Sequence, residues 1–284
     1  MKFIKIIEID GVNNFMFSLL RNNLSMLFFN NLNRISYNLF NKIFSIFKCR
    51  LNSTNNFINA FYKNGYVKSK TVSTKDILEI NLLLKNEKEI LKNNVTKYII
   101  QDELKFKIKE LFNKYYIDDI KQFEKYFSSK IIITNIMIWK NHGYDLSLNS
   151  KDQFFSEKYH TDNYLFTYFK LFINLEDVDE NKGPLHLINK NNIKEFFKLS
   201  NYKNRHNYNE QKIKSLVFKN IGKVGESLFF NSAECPHRAG VPQIGSSRLM
   251  LGFIFNVVPN IEEQNYFLYE KSENDIFEND YWSK

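Results

Sequence analysis

Two histidines and one carboxylate are the residues of this chain best suited to chemistry. His160 and Asp162 stand two apart in Tyr159-His160-Thr161-Asp162-Asn163. On an extended strand, side chains two apart share a face, so an imidazole nitrogen and a carboxylate oxygen can seize one metal ion. His237 follows far along the chain, in Glu234-Cys235-Pro236-His237-Arg238. Two His and one carboxylate leave coordination positions open, the ligand set of non-haem Fe(II) oxygenases. A His-x-Asp pair also arises by chance, so its setting has to carry the assignment. Arg248 opens the next apolar strand after His237. A guanidinium turned into a β interior needs an anionic partner, because leaving it unpaired is costly. A bidentate carboxylate would satisfy it, and so would an acidic side chain at the rim.

The elements that must position these residues are mostly strands. Residues 131–139 are β-branched and flanked by Lys130 and Lys140, which predicts a strand, and a polar loop then leads to His160. Strands are expected over 166–175, 185–188, 216–219, 227–231 and 248–257, with a helix over 193–199. The turns lie at Gly222–Gly225 and Pro242–Gly245. Upstream, an alternating strand is expected over 66–72. Helices follow over 76–85, capped by Ser73 or Thr74, and over 102–116 and 120–127. Many short strands with turn signals predict a closed double sheet of jelly-roll type carrying flanking helices.

Residues 15–48 read as an amphipathic helix. Leu24, Phe28, Leu32, Ile35, Leu39, Ile43 and Ile46 form one stripe, and residues 51–63 form an Asn-rich connection. Between Gly11 and Lys75 there are nine basic residues and no acidic one, whereas from Asp76 onward 29 basic residues meet 29 acidic ones. The formal charge of +9 therefore arises within the first 75 residues, most of it in an N-terminal extension, and it does not argue for a nucleic-acid substrate. The extension is either a helical layer on the core or a basic helix for weak contact with an anionic membrane or a protein partner. Two cysteines, Cys49 and Cys235, make no disulfide framework and suit a reducing, cytoplasmic setting. Cys235 reads as a small buried filler. No apolar run is long enough to span a membrane, and Glu8 and Asp10 interrupt any signal-peptide core.

Taken in order, several segments resemble the phytanoyl-CoA dioxygenase family of Fe(II)/2-oxoglutarate oxygenases. Asn64-Gly65-Tyr66-Val67 looks like the family's opening strand, and 136–140 like the strand before its metal loop. His160-x-Asp162 follows, then Leu175-Glu176-Asp177-Val178 with Asn181-Lys182-Gly183-Pro184-Leu185. Gly225-Glu226-Ser227-Leu228-Phe229-Phe230 leads to His237, and Arg248 closes the set. The resemblance covers residues 64–258. It implies a double-stranded β-helix (cupin-like jelly roll) with an N-terminal helical extension at 1–63 and an acidic tail at 259–284.

The resemblance further implies that His160, Asp162 and His237 bind Fe(II). Arg248, helped by Ser246, would hold the distal carboxylate of 2-oxoglutarate, and Ile136 and Phe172 would line its pocket. With O2, such enzymes hydroxylate a small molecule and release succinate and CO2. Asn189-Lys190-Asn191-Asn192 replaces a turn usual in the family, and Ala239 stands where some members carry a hydroxyl. A metal-dependent hydrolase and a silent jelly-roll binding module remain as alternatives. His142, His186 and His206 fall in or beside turns and are expected at the surface or in local hydrogen bonds.

Overall fold

The computed structural model describes residues 56–127, 130–145, 157–162, 168–199 and 210–258. The predicted helix over 15–48, His206 and the tail from 259 lie outside these residues. So do the basic residues up to Arg50.

The first described element is a helix, α1 (Asn56–Asn64), where the sequence suggested an Asn-rich connection. Its core-facing Ile58 and Phe61 are buried, and tertiary packing of these two side chains overrides the weak helix propensity of Asn. Strand β1 (Tyr66–Lys68) is shorter than expected. Helix α2 (Thr74–Leu84) begins where Ser73 caps it, the hydroxyl accepting from the Asp76 amide. The stretch after α2, assigned to no element from sequence, is a hairpin of β2 (Lys88–Lys92) and β3 (Val95–Ile99). Its two-residue turn, Asn93-Asn94, has positive φ at both positions, the type I′ geometry that Asn tolerates. Helices α3 (Asp102–Tyr115) and α4 (Ile117–Phe127) follow almost without a break.

The remaining elements build a jelly roll. They are β4 (Lys130–His142), β5 (Phe169–Asn174), β6 (Leu185–Ile188), helix α5 (Ile193–Leu199), β7 (Val217–Asn220), β8 (Ser227–Phe230), β9 (His237–Ala239) and β10 (Ser247–Val258). The major sheet has the order β1-β8-β5-β10-β4-β3-β2, and the minor sheet is β7-β6-β9. All strand pairs are antiparallel. An isolated bridge between His160 and His237 extends the minor sheet by one residue pair.

Alternation along the major sheet sends its side chains into two different cores. Leu171, Ile173, Phe229, Leu251, Phe253 and Phe255 pack under helices α1–α4, against residues such as Ile108, Phe112 and Ile120. Phe123 of α4 lies at the centre of this layer, 4.8 Å from the rings of both Phe61 and Phe169. On the other face, Leu228 and Phe230, with Phe172 alongside, meet Leu185, Leu187 and Cys235 between the two sheets. A third cluster, with Tyr159, Ile188 and Phe196, covers the outside of the minor sheet.

One irregularity decides which face part of β4 presents. Ile254 pairs with Asn135 but Phe255 pairs with Ile133, so Thr134 is an extra residue, a β-bulge. The bulge shifts the alternation, and Ile131, Ile133, Ile136 and Ile138 all join the core beneath the helices. Among the described residues no helix is long and apolar enough to cross a membrane.

Candidate metal centre

Both backbone hydrogen bonds of the bridge pair, His160 N to His237 O (3.0 Å) and His237 N to His160 O (2.8 Å), lock the two histidines opposite each other. Their rings lie 4.5 Å apart, the close spacing of side chains directly across a ladder. Asp162, two residues beyond His160, is tied by its amide to the Ser232 carbonyl at 2.9 Å. Asp162 Oδ1 then lies 3.9 Å from Nε2 of each histidine. One ligand atom from each of the three residues falls within 4.8 Å of the others. A first-row ion bonds such atoms at about 2.1 Å, so a contraction of about an ångström would close the set around it.

The hydrogen bonds also fix how each ring is oriented. His160 Nδ1 lies 2.7 Å from the Lys158 carbonyl, and His237 Nδ1 lies 2.9 Å from the Cys235 carbonyl. A carbonyl only accepts, so Nδ1 carries a proton in both rings, and Nε2 is the nitrogen turned toward Asp162. Burial drives the His237 pKa down to about 3, against the pull of Asp162, so the ring is neutral near pH 7. Burial would push the Asp162 carboxyl up, but Lys170 and His237 hold it well below the usual carboxylate range. A neutral His237 imidazole and an ionised Asp162 carboxylate are protonation states a metal requires.

His237 is placed by the turn before it. The Asn231 side-chain oxygen accepts from the amides of Ala233 (3.1 Å) and Glu234 (2.9 Å), an Asx-type turn. Cys235 then packs, fully buried, against Gly65. Gly65 has φ +80, and a Cβ on it would fall 2.1 Å from the Cys235 sulfur, so only glycine fits. Burial raises the thiol pKa, and the cysteine serves as filler behind the histidine, outside the ligand set.

Arg248 is 3% exposed, and its ηN–H donates to the Gly183 carbonyl. Its Nε is buried without a hydrogen-bond partner, and no carboxylate among the described residues forms an ion pair with it. Burial lowers its pKa to about 10, which still leaves it protonated at neutral pH. By strand alternation Arg248 shares its face of β10 with Gly252, whose missing Cβ would meet Trp139 and Phe172. Phe172 lies 4.9 Å from both Trp139 and Phe230, and Phe230 lies 5.4 Å from His237. An apolar wall therefore runs from the triad along the face that carries the unpaired guanidinium. Such a guanidinium fits a bound carboxylate.

The other residues singled out from sequence fall in different places. Ser246 is half-buried in the turn before β10, where its carbonyl accepts from Gly143 at 2.9 Å. Ile136 does not reach the space between the sheets, because the Thr134 bulge puts it under the helices with Phe253 opposite. His186 lies on the outer face of the minor sheet, its Nδ1 accepting from Arg238 Nε at 3.1 Å, with a pKa lowered to about 3 by burial. His142 pairs with Thr96 at 2.8 Å. Lys170 was missed. Its ammonium lies 2.7 Å from Asp162 Oδ2, and both side chains are 13% exposed. The signal was a lysine at an inward phase of the apolar strand Phe169–Asn174.

No family model and no curated protein matches the sequence. Among solved structures, the chain is similar to the α-ketoglutarate-dependent epimerase SnoN from nogalamycin biosynthesis. The identity is 13%, over 70% of this chain and 80% of that one, with a TM-score of 0.48. It is also similar to HygX from Streptomyces hygroscopicus with nickel and 2-oxoglutarate bound (10% identity, 72% and 87% covered, TM-score 0.46). A third similar structure is the non-heme monooxygenase ThoJ (9% identity, 73% and 81% covered, TM-score 0.47).

Proposed function

We propose that this chain is an Fe(II)- and 2-oxoglutarate-dependent oxygenase, of the phytanoyl-CoA dioxygenase type its motifs resemble, that hydroxylates a small molecule. One observation carries the reading. Two histidines, one of them neutral, and an ionised Asp converge between two sheets, on a fold that also buries a guanidinium with no carboxylate partner among the described residues.

His160, Asp162 and His237 would hold the iron through two Nε2 atoms and Oδ1, leaving positions open for cosubstrate. Arg248 would take the distal carboxylate of 2-oxoglutarate, which supplies the anion its Nε lacks. Bound iron and 2-oxoglutarate supply the oxidising chemistry with O2, giving succinate and CO2. The protein orients these groups, and Phe172, Phe230 and Trp139 keep water from that side. The backbone carbonyls of Lys158 and Cys235 fix the proton on Nδ1 of each ring and hold both rings in orientation for the site to fill.

The test is an anaerobic titration of the Fe(II)-loaded protein with 2-oxoglutarate, followed by metal-to-ligand charge-transfer absorbance. A saturable band that Asp162→Ala abolishes supports the reading. Tight Zn(II) binding with no such band, and no O2-dependent succinate, would assign the site to hydrolytic chemistry instead.

A further inference from the structure

The two oxygens of Asp162 are used for different things. Oδ1 lies 3.9 Å from Nε2 of both histidines, whereas Oδ2 lies 2.7 Å from the Lys170 ammonium. The contact is a buried ion pair. Lys170 comes from the major sheet, where it pairs in register with Phe230 of β8, whereas the histidines face each other across the bridge that extends the minor sheet. A buried carboxylate needs a countercharge, but a metal ion in the triad would supply one by itself. With a dication bound, a lysine on the same carboxylate is repelled by it. A fixed cation held next to a metal ligand therefore opposes metal affinity and has to be explained by something else.

We propose that Lys170 is a positioning residue: it holds Oδ2 of Asp162 out of the coordination sphere, so that the carboxylate binds through Oδ1 alone. This rests on the reading of the triad as a metal centre. A carboxylate is free to bind one ion through one oxygen or both. Chelation through Oδ2 would fill a fourth coordination position and leave two. An ammonium at 2.7 Å makes withdrawing Oδ2 toward the metal expensive, because it would break a buried ion pair. Three positions then stay open.

The experiment uses the full chain with Co(II) as the probe, anaerobically, reading affinity by calorimetry and coordination by d–d absorption. Lys170→Met keeps the unbranched shape and removes the charge. We expect it to bind Co(II) about tenfold or more tightly than wild type, because repulsion is gone and Oδ2 is released to chelate. Its d–d spectrum should change in intensity and position, while Lys170→Arg restores the wild-type spectrum and affinity. A purely structural lysine gives the reverse, namely weaker binding with an unchanged spectrum, and that result overturns the proposal. So does wild-type behaviour of Lys170→Met. If Lys170→Met fails to fold, as judged by its circular dichroism melt, Lys170→Leu, which likewise offers Oδ2 no donor, carries the same expectations. Failure of wild-type protein to bind Co(II), or binding that survives His160→Ala with His237→Ala, would overturn the metal-centre reading itself, and the proposal with it.

Discussion

Replacing Arg248 with Met separates a cosubstrate anchor from a structural arginine. The substitution removes a guanidinium that is 3% exposed and forms one hydrogen bond, to the Gly183 carbonyl, while its Nε has no partner. In the cosubstrate-free protein two effects oppose each other. Losing a charge-assisted hydrogen bond costs about 1.5–3 kcal/mol, and removing a buried unsatisfied donor returns about 1–3 kcal/mol. The melting temperature of Arg248→Met should therefore move by only a few degrees in either direction. Binding should respond differently. Breaking a desolvated guanidinium–carboxylate pair costs about 3–5 kcal/mol, which weakens 2-oxoglutarate binding by about 10²–10³-fold or more. Metal affinity should change little, because Arg248 is not among the converging ligands. The assay pairs a thermal melt of the metal-free protein with the anaerobic charge-transfer titration. A loss of about 3–5 kcal/mol in the melt together with unchanged 2-oxoglutarate affinity would refute the reasoning and make Arg248 a structural residue.

Further outcomes follow from the same geometry. His237 and His186 both have folded pKa values lowered to about 3 by burial, below the ordinary imidazole value of 6.5. Unfolding therefore takes up protons below that value, and stability, fully present above about pH 6.5, should fall at about 1.4 kcal/mol per pH unit for each histidine as pH drops toward 3. A denaturant midpoint series over that range checks this, with His186→Gln expected to remove part of the slope without touching metal binding. Gly65→Ala should destabilise by about 2–4 kcal/mol, combining overpacking against the Cys235 sulfur with strain at φ +80. Because Cys235 precedes His237, the same variant should also weaken metal binding. Adding Cys235→Ala should recover the overpacking part and leave the φ strain, a coupling that a double-mutant cycle in urea would read.

The sequence by itself determined a good deal here. Strands β5, β6, β8 and β10 were legible because each is a short run of apolar or β-branched residues bounded by turn chemistry. Helix α2 and its Ser73 cap were legible for the same kind of local reason. The spacing of His160 and Asp162 already placed them on one face, since period-two alternation is a backbone property. What lay beyond the sequence depended on partners remote in the chain. Helix α1 forms although Asn-rich, because Ile58 and Phe61 find a core made by α4 and β5. Hairpin β2–β3 carried its signal in Asn93-Asn94, but its outer strand is exposed throughout and so lacks an apolar pattern. The bulge at Thr134 turned Ile136 away from the space between the sheets, and nothing local marks which residue of a β-branched run will be the extra one. The meeting of His160 with His237 across a bridge, and of Asp162 with Lys170, was decided only when two sheets closed on each other. Side-chain alternation is local and can be read along the chain. Which faces are brought together depends on strand order, and that is a property of the whole fold.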